Sequence, residues 1–395
     1  MPIYHDLVIT CPLYCEDLVV GELKQFGARE IEIHHGAVKA AGTLECAYRI
    51  CLWSRIANKV LLKLIDFRAS SKEELYENLI RFPFPGQFSA DRTFVVDSQI
   101  GDTFLSSPNY ANLLVKDAIV DAFRKAGKKR PDVDTENPDI RFYFFLEKSA
   151  GTLSLELSGP GLFKRAYRKK SGEAPLKENV AAAILLRSGW KAKADRGGAL
   201  IDLMCGSGTF LVEGLLAAFN LAPGAFRDTQ GPFQWKNHDV ALWKRLVAEA
   251  IAQKKQALAG KVNRIIGYDL DRTAVSNAQS NLQGAGLYQF VEIKQADFRA
   301  TKAEGIESNG GLVVANPPYG HRMGDVSGLK ELYADLGRVL INEYKGYSAT
   351  VLAGDRELAR SIGLRASKLH TLYNGPLRCT LAHFELSEAN KYRPV

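Results

Sequence analysis

No run of about 18 consecutive apolar residues occurs anywhere in the 395, which excludes a membrane-spanning helix on length alone. Cysteine is scarce. Six are present, and Cys11/Cys15 and Cys46/Cys51 have neither CxxC spacing nor a neighbouring histidine pattern. A disulfide scaffold is therefore excluded, reduced and buried thiols are expected, and no bound metal is expected. Internal repeats and low-complexity tracts are absent. The start, Met1 to Asp6, lacks a basic region leading into an apolar stretch, so no secretory signal is expected and the cytoplasm is the expected compartment. An acidic excess is missing too: 52 Lys and Arg stand against 44 Asp and Glu, a net charge of +8. That balance suits a polyanionic partner such as nucleic acid. An apolar fraction of 46% argues against disorder, and the length predicts more than one domain.

What is present falls into two textures. In the first, Leu7–Cys11 and Ile31–His35 read as strands around a helix over Tyr14–Phe26, and Glu45–Lys63 carries apolar residues at helical spacing. A helix over Ser71–Ile80, a strand over Thr93–Asp97 and a helix over Tyr110–Ala126 follow. Ile140–Leu146 and Thr152–Leu157 predict a hairpin around Lys148–Gly151. From Ala199 onward, continuous apolar strands (199–203, 264–269, 290–293, 311–315 and 349–352) alternate with helices, the pattern of a mostly parallel sheet covered on both faces. Leu221–Gly260 interrupts the alternation and predicts an amphipathic helix over Val240–Leu258.

Asp202-Leu-Met-Cys-Gly-Ser-Gly-Thr209 stands where the first strand of that sheet turns into a helix. Glycine lets a backbone approach a ligand, and a helix N-terminus favours electronegative groups. No lysine follows the second glycine, which excludes a Walker loop, and Leu211 occupies the third position of GxGxxG. Asp269 ends the next strand, where doubly wound folds place a carboxylate on ribose hydroxyls. Here the chain resembles class I methyltransferases that use S-adenosylmethionine. The resemblance implies that Cys205, Gly206, Ser207, Gly208 and Thr209 form the loop along the methionine part of the cofactor, with Cys205 mainly packing. It implies that Asp202 orients the loop or the cofactor amino group, that Asp269 holds the ribose, that Leu270 beside it belongs to the cofactor site, and that Asp297 and Phe298 flank the adenine. Asp297 is also placed to cap the segment after it.

Asn316-Pro317-Pro318-Tyr319 follows the fourth strand. Two prolines stiffen the backbone and leave carbonyls free to accept. An exocyclic amine conjugated to a ring is a poor nucleophile. Accepting both its hydrogens, through the Asn316 oxygen and the Pro317 carbonyl, localises the lone pair. Tyr319 is available to stack on a base that has left its own stack. Adenine, cytosine, guanine and a glutamine amide all remain open at this point.

The N-terminal half resembles the ferredoxin-like segment and THUMP domain of RNA-modifying enzymes. With Gly172–Glu178, Arg187-Ser-Gly-Trp190 and Asn316–Gly320, the whole chain resembles RlmL-type 23S rRNA guanine-N2 methyltransferases. The implied organisation is a ferredoxin-like segment over 1–44, a THUMP RNA-binding domain over 45–157 and a Rossmann-like class I methyltransferase domain over 158–395. Some proteins of this type carry a second methyltransferase domain after this one, before which the sequence ends at Val395. The implied partner is RNA: rRNA first, with tRNA guanine as an alternative. An adenine-N6 or glutamine-N5 enzyme and a non-catalytic RNA-binding module are the other readings. Lys164, Arg165, Arg168, Lys169 and Lys170 join the two textures and are expected to follow a phosphate backbone, with Phe163 or Tyr167 to stack. His321 adjoins the Asn-Pro-Pro-Tyr loop.

Overall fold

The structure is a computed structural model describing residues 2–169, 176–227, 234–260, 263–303, 306, 309–319 and 326–393. Contacts divide the chain into two units. The first holds Met1–Cys11, Val19–Leu162 and Asp228–Ala248, and the second holds Pro12–Leu18, Phe163–Arg227 and Glu249–Val395.

The first unit is built on β1 (His5–Thr10), α1 (Glu16–Gln25), β2 (Arg29–His34), β3 (Ala37–Gly42), α2 (Leu44–Trp53), β4 (Lys59–Arg68), α3 (Lys72–Ile80), β5 (Phe94–Thr103), α4 (Pro108–Lys125), β6 (Ile140–Lys148) and β7 (Ala150–Glu156). One seven-stranded sheet joins them in the order β2-β3-β1-β4-β7-β6-β5. The expected hairpin forms as β6–β7, with Glu147 opposite Ala150. The helix expected over Glu45–Lys63 does not. It ends at Trp53, where Ser54 caps it, and residues from Lys59 run on as β4. The physical reason lies in Val60, Leu61 and Leu62. They are consecutively buried, as a strand paired on both sides by β1 and β7 requires and a one-faced helix does not. Part of the Leu221–Gly260 insertion packs in this unit: Lys236 N donates to the Gln87 carbonyl at 2.8 Å, and the Tyr48 hydroxyl meets His238 Nδ1 at 2.6 Å.

The second unit comprises α5 (Glu178–Arg187), α6 (Trp190–Asp195), β8 (Ala199–Asp202), α7 (Thr209–Ala218), α8 (Val240–Leu258), β9 (Ile265–Asp269), α9 (Arg272–Ala285), β10 (Glu292–Gln295), β11 (Gly311–Ala315), α10 (Val326–Glu343), β12 (Ser348–Ala353), α11 (Arg356–Ser361), β13 (Lys368–Asn374) and β14 (Leu377–Glu385). The opening residues of α8 fall in the first unit, and those of α1 in the second. The sheet order is β10-β9-β8-β11-β12-β14-β13. Strands β10, β9, β8, β11 and β12 are mutually parallel. Every residue of β8 and β11 is buried, as both-face coverage demands. The fold is thus the expected doubly wound α/β sheet, extended by β14, antiparallel to both β12 and β13, an extension that the strand pattern did not reveal. The strand expected at Phe290 starts later, because Tyr288–Phe290 coil into a 3-10 turn. No described helix is long and apolar enough to cross a membrane. All six cysteines are buried thiols.

Candidate active site

Asp202 closes β8 and the chain then turns sharply into α7. Gly208 stands at the N-cap with φ of +81°, and a Cβ there would lie 3.1 Å from the Ala278 Cβ, so backbone conformation and close packing both require glycine. The loop is held from several sides. Cys205 N donates to the Tyr268 carbonyl at 2.8 Å, and Gly206 N donates to Asp269 Oδ2 at 2.8 Å. The other oxygen of Asp269 accepts from Asp271 N at 2.9 Å, while Asp271 itself caps α9. Asn281 on α9 donates to the Ser207 carbonyl and accepts from Lys169 N, each at 3.0 Å.

A cleft of about 570 Å³ opens at the carboxyl ends of these strands, where open α/β sheets bind ligands. Asp202, Cys205, Gly206, Ser207 and Thr209 line it from the first loop, Asp269 and Leu270 from the second, Asp297 and Phe298 from the third, and Asn316 and Pro318 from the fourth. The tertiary structure therefore brings four loops, spread over more than a hundred residues of sequence, to one cavity. Gly208, Pro317 and Tyr319 are not in its lining. Leu176, Met204, Phe210, Asp271 and Arg299 are, and the sequence pattern did not mark them. Met204 lies inside the recognised motif and Phe210 just beyond it, so adjacency could have found both. Leu176 is brought there by its carbonyl, which accepts from Arg168 Nη2 at 2.8 Å.

Two buried acceptors stand out. Asp202 Oδ1 accepts from Met204 N at 3.3 Å, but Oδ2 has no partner among the described residues. Burial pushes this carboxyl well above the usual range, and Asp269 adds to the shift. Asn316 Oδ1 is likewise buried without a partner among the described residues. Buried polar atoms are normally satisfied, and exceptions mark places where a ligand group is awaited. Leu270, by contrast, is an apolar residue left 67% exposed at the rim. Asp297 both lines the cleft and caps the segment after it, accepting from Arg299 N at 2.9 Å. Among the described residues no cluster suited to a metal occurs.

Four residues depart from expectation. Arg165 does not face outward: its side chain is 1% exposed and its Nε lies 3.2 Å from Glu213, whose carboxylate also accepts from the Tyr167 hydroxyl at 2.9 Å. Arg168 pairs with Glu178 at 3.1 Å and donates to the Thr209 hydroxyl at 2.7 Å. Of the basic segment only Lys164 and Lys169 are exposed, and Lys170 lies outside the described residues, as does His321. The reason is that the two arginines pair with two buried carboxylates, Glu213 on α7 and Glu178 on α5. Tyr167, fully buried, is not available to stack. Tyr319 offers no open ring either. It is 4% exposed and its hydroxyl accepts from Asn374 Nδ2 at 2.8 Å.

Residues 165–383 match the family described as "RMKL-like, methyltransferase domain", 6–61 match the RlmL ferredoxin-like domain and 69–156 the THUMP domain. A protein of Methylococcus capsulatus (strain Bath), named ribosomal RNA large subunit methyltransferase K/L, is 42% identical over 394 residues, covering 100% of this chain and 53% of its own length. A second of the same name, from Syntrophotalea carbinolica, is 42% identical over 382 residues, 96% of this chain and 53% of its own length. The chain thus spans about half the length of the curated relatives it matches. Among solved structures, SMU.472, a candidate methyltransferase complexed with SAH, superposes with a TM-score of 0.85 at 29% identity, covering 98% of this chain and 99% of that one.

Proposed function

The chain belongs to the RMKL-like methyltransferase family, and from that premise we propose that it transfers a methyl group from S-adenosylmethionine to the exocyclic N2 amine of a guanine in structured RNA, 23S rRNA foremost, in the cytoplasm. The observation that carries the reading is the pair of orphaned acceptors, Asp202 Oδ2 and Asn316 Oδ1, lining one cleft with Asp269 and Asp297. The residues present fit the cofactor. Asp202 Oδ2 would take its amino group and Asp269, whose carboxylate keeps lone pairs beyond its two backbone bonds, the ribose hydroxyls. Asp297 and Phe298 would flank the adenine, with Leu270 at the rim. When bound, the cofactor supplies an electrophilic methyl group on a sulfonium.

Asn316 Oδ1, rigidly placed by two prolines, accepts one amine hydrogen and the Pro317 carbonyl the other. The nitrogen lone pair is thereby drawn out of conjugation as charge develops, which is an interaction realised mainly in the transition state. The THUMP segment supports RNA as the substrate, and the names of the rRNA relatives support the large-subunit RNA.

Incubating the chain with labelled S-adenosylmethionine and, separately, rRNA, tRNA, DNA and protein, followed by nucleoside analysis, tests this. Labelled N2-methylguanosine from 23S rRNA is expected. The same nucleoside from tRNA alone would move the substrate, label in adenine or glutamine would overturn the target atom, and cofactor binding without transfer would favour a non-catalytic RNA-binding module.

A further inference from the structure

Ahead of α1 the backbone holds a tyrosine in a conformation that costs free energy. Cys15 N donates to the Pro12 carbonyl at 3.1 Å, so Tyr14 is the third residue of a turn, with φ of +65°. Turns with a positive φ there normally carry glycine or asparagine, and a bulky side chain in that region is a true outlier. Burial does not account for the choice, because Tyr14 is 46% exposed. The turn is nevertheless pinned. Arg187 Nη2 donates to the Tyr14 carbonyl at 2.6 Å, and the same guanidinium grips Asp17 through both oxygens, at 2.7 and 3.1 Å. The pinned ring lies parallel to that of Tyr373, with centroids 6.0 Å apart and planes within 3°.

The place of this pair in the sheet is telling. Strands β12 and β13 both run antiparallel to β14, so β13 is oriented like the parallel strands and ends at their carboxyl edge. Tyr373 and Asn374 close β13, and Asn374 is the residue that holds the Tyr319 hydroxyl of the Asn-Pro-Pro-Tyr loop. The cofactor-site loops follow β8, β9 and β10 on one side of β11, and β13 lies on the other side. Opposite Tyr373 on β14 stands Arg378, exposed and with no salt bridge to a described residue. Directly opposed residues share a face, so a cation flanks the two rings.

We propose that Tyr14 and Tyr373 form a stacking platform for an unpaired base of the RNA next to the target nucleotide, with Arg378 taking an adjoining phosphate. Extruding a base into the cleft unstacks its neighbours, and an exposed aromatic ring at the substrate side of the carboxyl edge gives one of them a new face. The proposal rests on RNA being the substrate. Strain persists where the surrounding structure over-determines it and the site has use for the result.

The test is binding of a single-stranded RNA oligonucleotide carrying 2-aminopurine, whose fluorescence falls on stacking, together with methylation of 23S rRNA. Tyr14→Gly removes the ring and relieves the backbone. Its thermal stability should equal or exceed wild type while RNA affinity drops about 5- to 100-fold, the scale of removing one base–aromatic stack. Tyr373→Ala should weaken binding by a similar factor, Tyr14→Trp should retain quenching, and S-adenosylhomocysteine affinity should stay at the wild-type value in all three. Wild-type quenching and methylation by Tyr14→Gly and Tyr373→Ala would overturn the platform, as would a Tyr14→Gly protein that loses stability together with RNA affinity. A wild-type chain that methylates DNA or protein but not RNA would instead overturn the reading on which the platform rests.

Discussion

The Arg168 guanidinium donates to the Thr209 hydroxyl at 2.7 Å, tying the segment between the chain's two textures to the first residue of the helix behind the glycine loop. The same side chain reaches the Leu176 carbonyl and Glu178. A stretch that reads as a basic strand for phosphates is in part a brace under the cofactor site.

That brace yields a separation of effects. Arg165→Ala removes the guanidinium paired with the buried Glu213 carboxylate, which should cost about 3–5 kcal/mol of stability, and Arg168→Ala should lower stability and cofactor affinity together. Neither should change how RNA binding varies with salt. Lys164→Ala and Lys169→Ala should do the reverse, leaving thermal unfolding unchanged and flattening the salt dependence by about 0.7 log units for each phosphate no longer neutralised. Thermal melts and RNA titrations over a salt series decide it. A flattened slope in Arg165→Ala would put that guanidinium back on the phosphates.

Asn316→Ala should lower turnover by ~10² or more with S-adenosylhomocysteine affinity nearly unchanged, because the amide acceptor matters most in the transition state. Single-turnover methylation of rRNA measures it. Turnover within a few-fold of wild type would remove Asn316 from the mechanism.

Asp269→Ala should weaken the cofactor by about 1–3 kcal/mol. Besides any ribose hydrogen bond it deletes the acceptor of Gly206 N, and with it one anchor of the loop. Calorimetry with S-adenosylhomocysteine reads the change. Unaltered binding would contradict the assignment.

Asp202 carries a pH dependence of known sign. Its carboxyl titrates well above the ordinary 3.8 in the folded protein, because burial disfavours the charged form. From about pH 4 upward the unfolded chain releases this proton while the folded chain keeps it, so the group's contribution to stability falls as pH rises, until the folded pKa is passed. Asp202→Asn should lack that decline. The stability difference between variant and wild type should therefore shift in the variant's favour as pH rises from about 4, as denaturant titrations would read. A cationic amino group at Oδ2 should expel the proton, so cofactor affinity should rise with pH in wild type and less in the variant.

Much of the site was legible in the sequence for a local reason. Asp202–Thr209 and Asn316–Tyr319 are contiguous motifs whose glycines and prolines restrict the backbone by covalent structure, and each follows an apolar run that reads as a strand. The amphipathic period of Val240–Leu258 likewise marks its helix. The start of β4, Lys59–Lys63, reads as helix in the sequence because a short buried apolar run fits helix and strand alike, and pairing with β1 and β7 settles the matter.

The sequence by itself determined the loop types, the strand alternation and hence the class of fold, since those depend on chain stiffness and on hydrophobic period. Only the tertiary structure decided which charges meet water. No local pattern marks Glu213 and Glu178 as ion-paired, yet burying them demands a cation within reach, and the fold delivers Arg165 and Arg168. The same holds for Tyr14, more than three hundred residues from Tyr373 in sequence. Their stacking follows from a strand direction and a pinned turn, which no local pattern encodes.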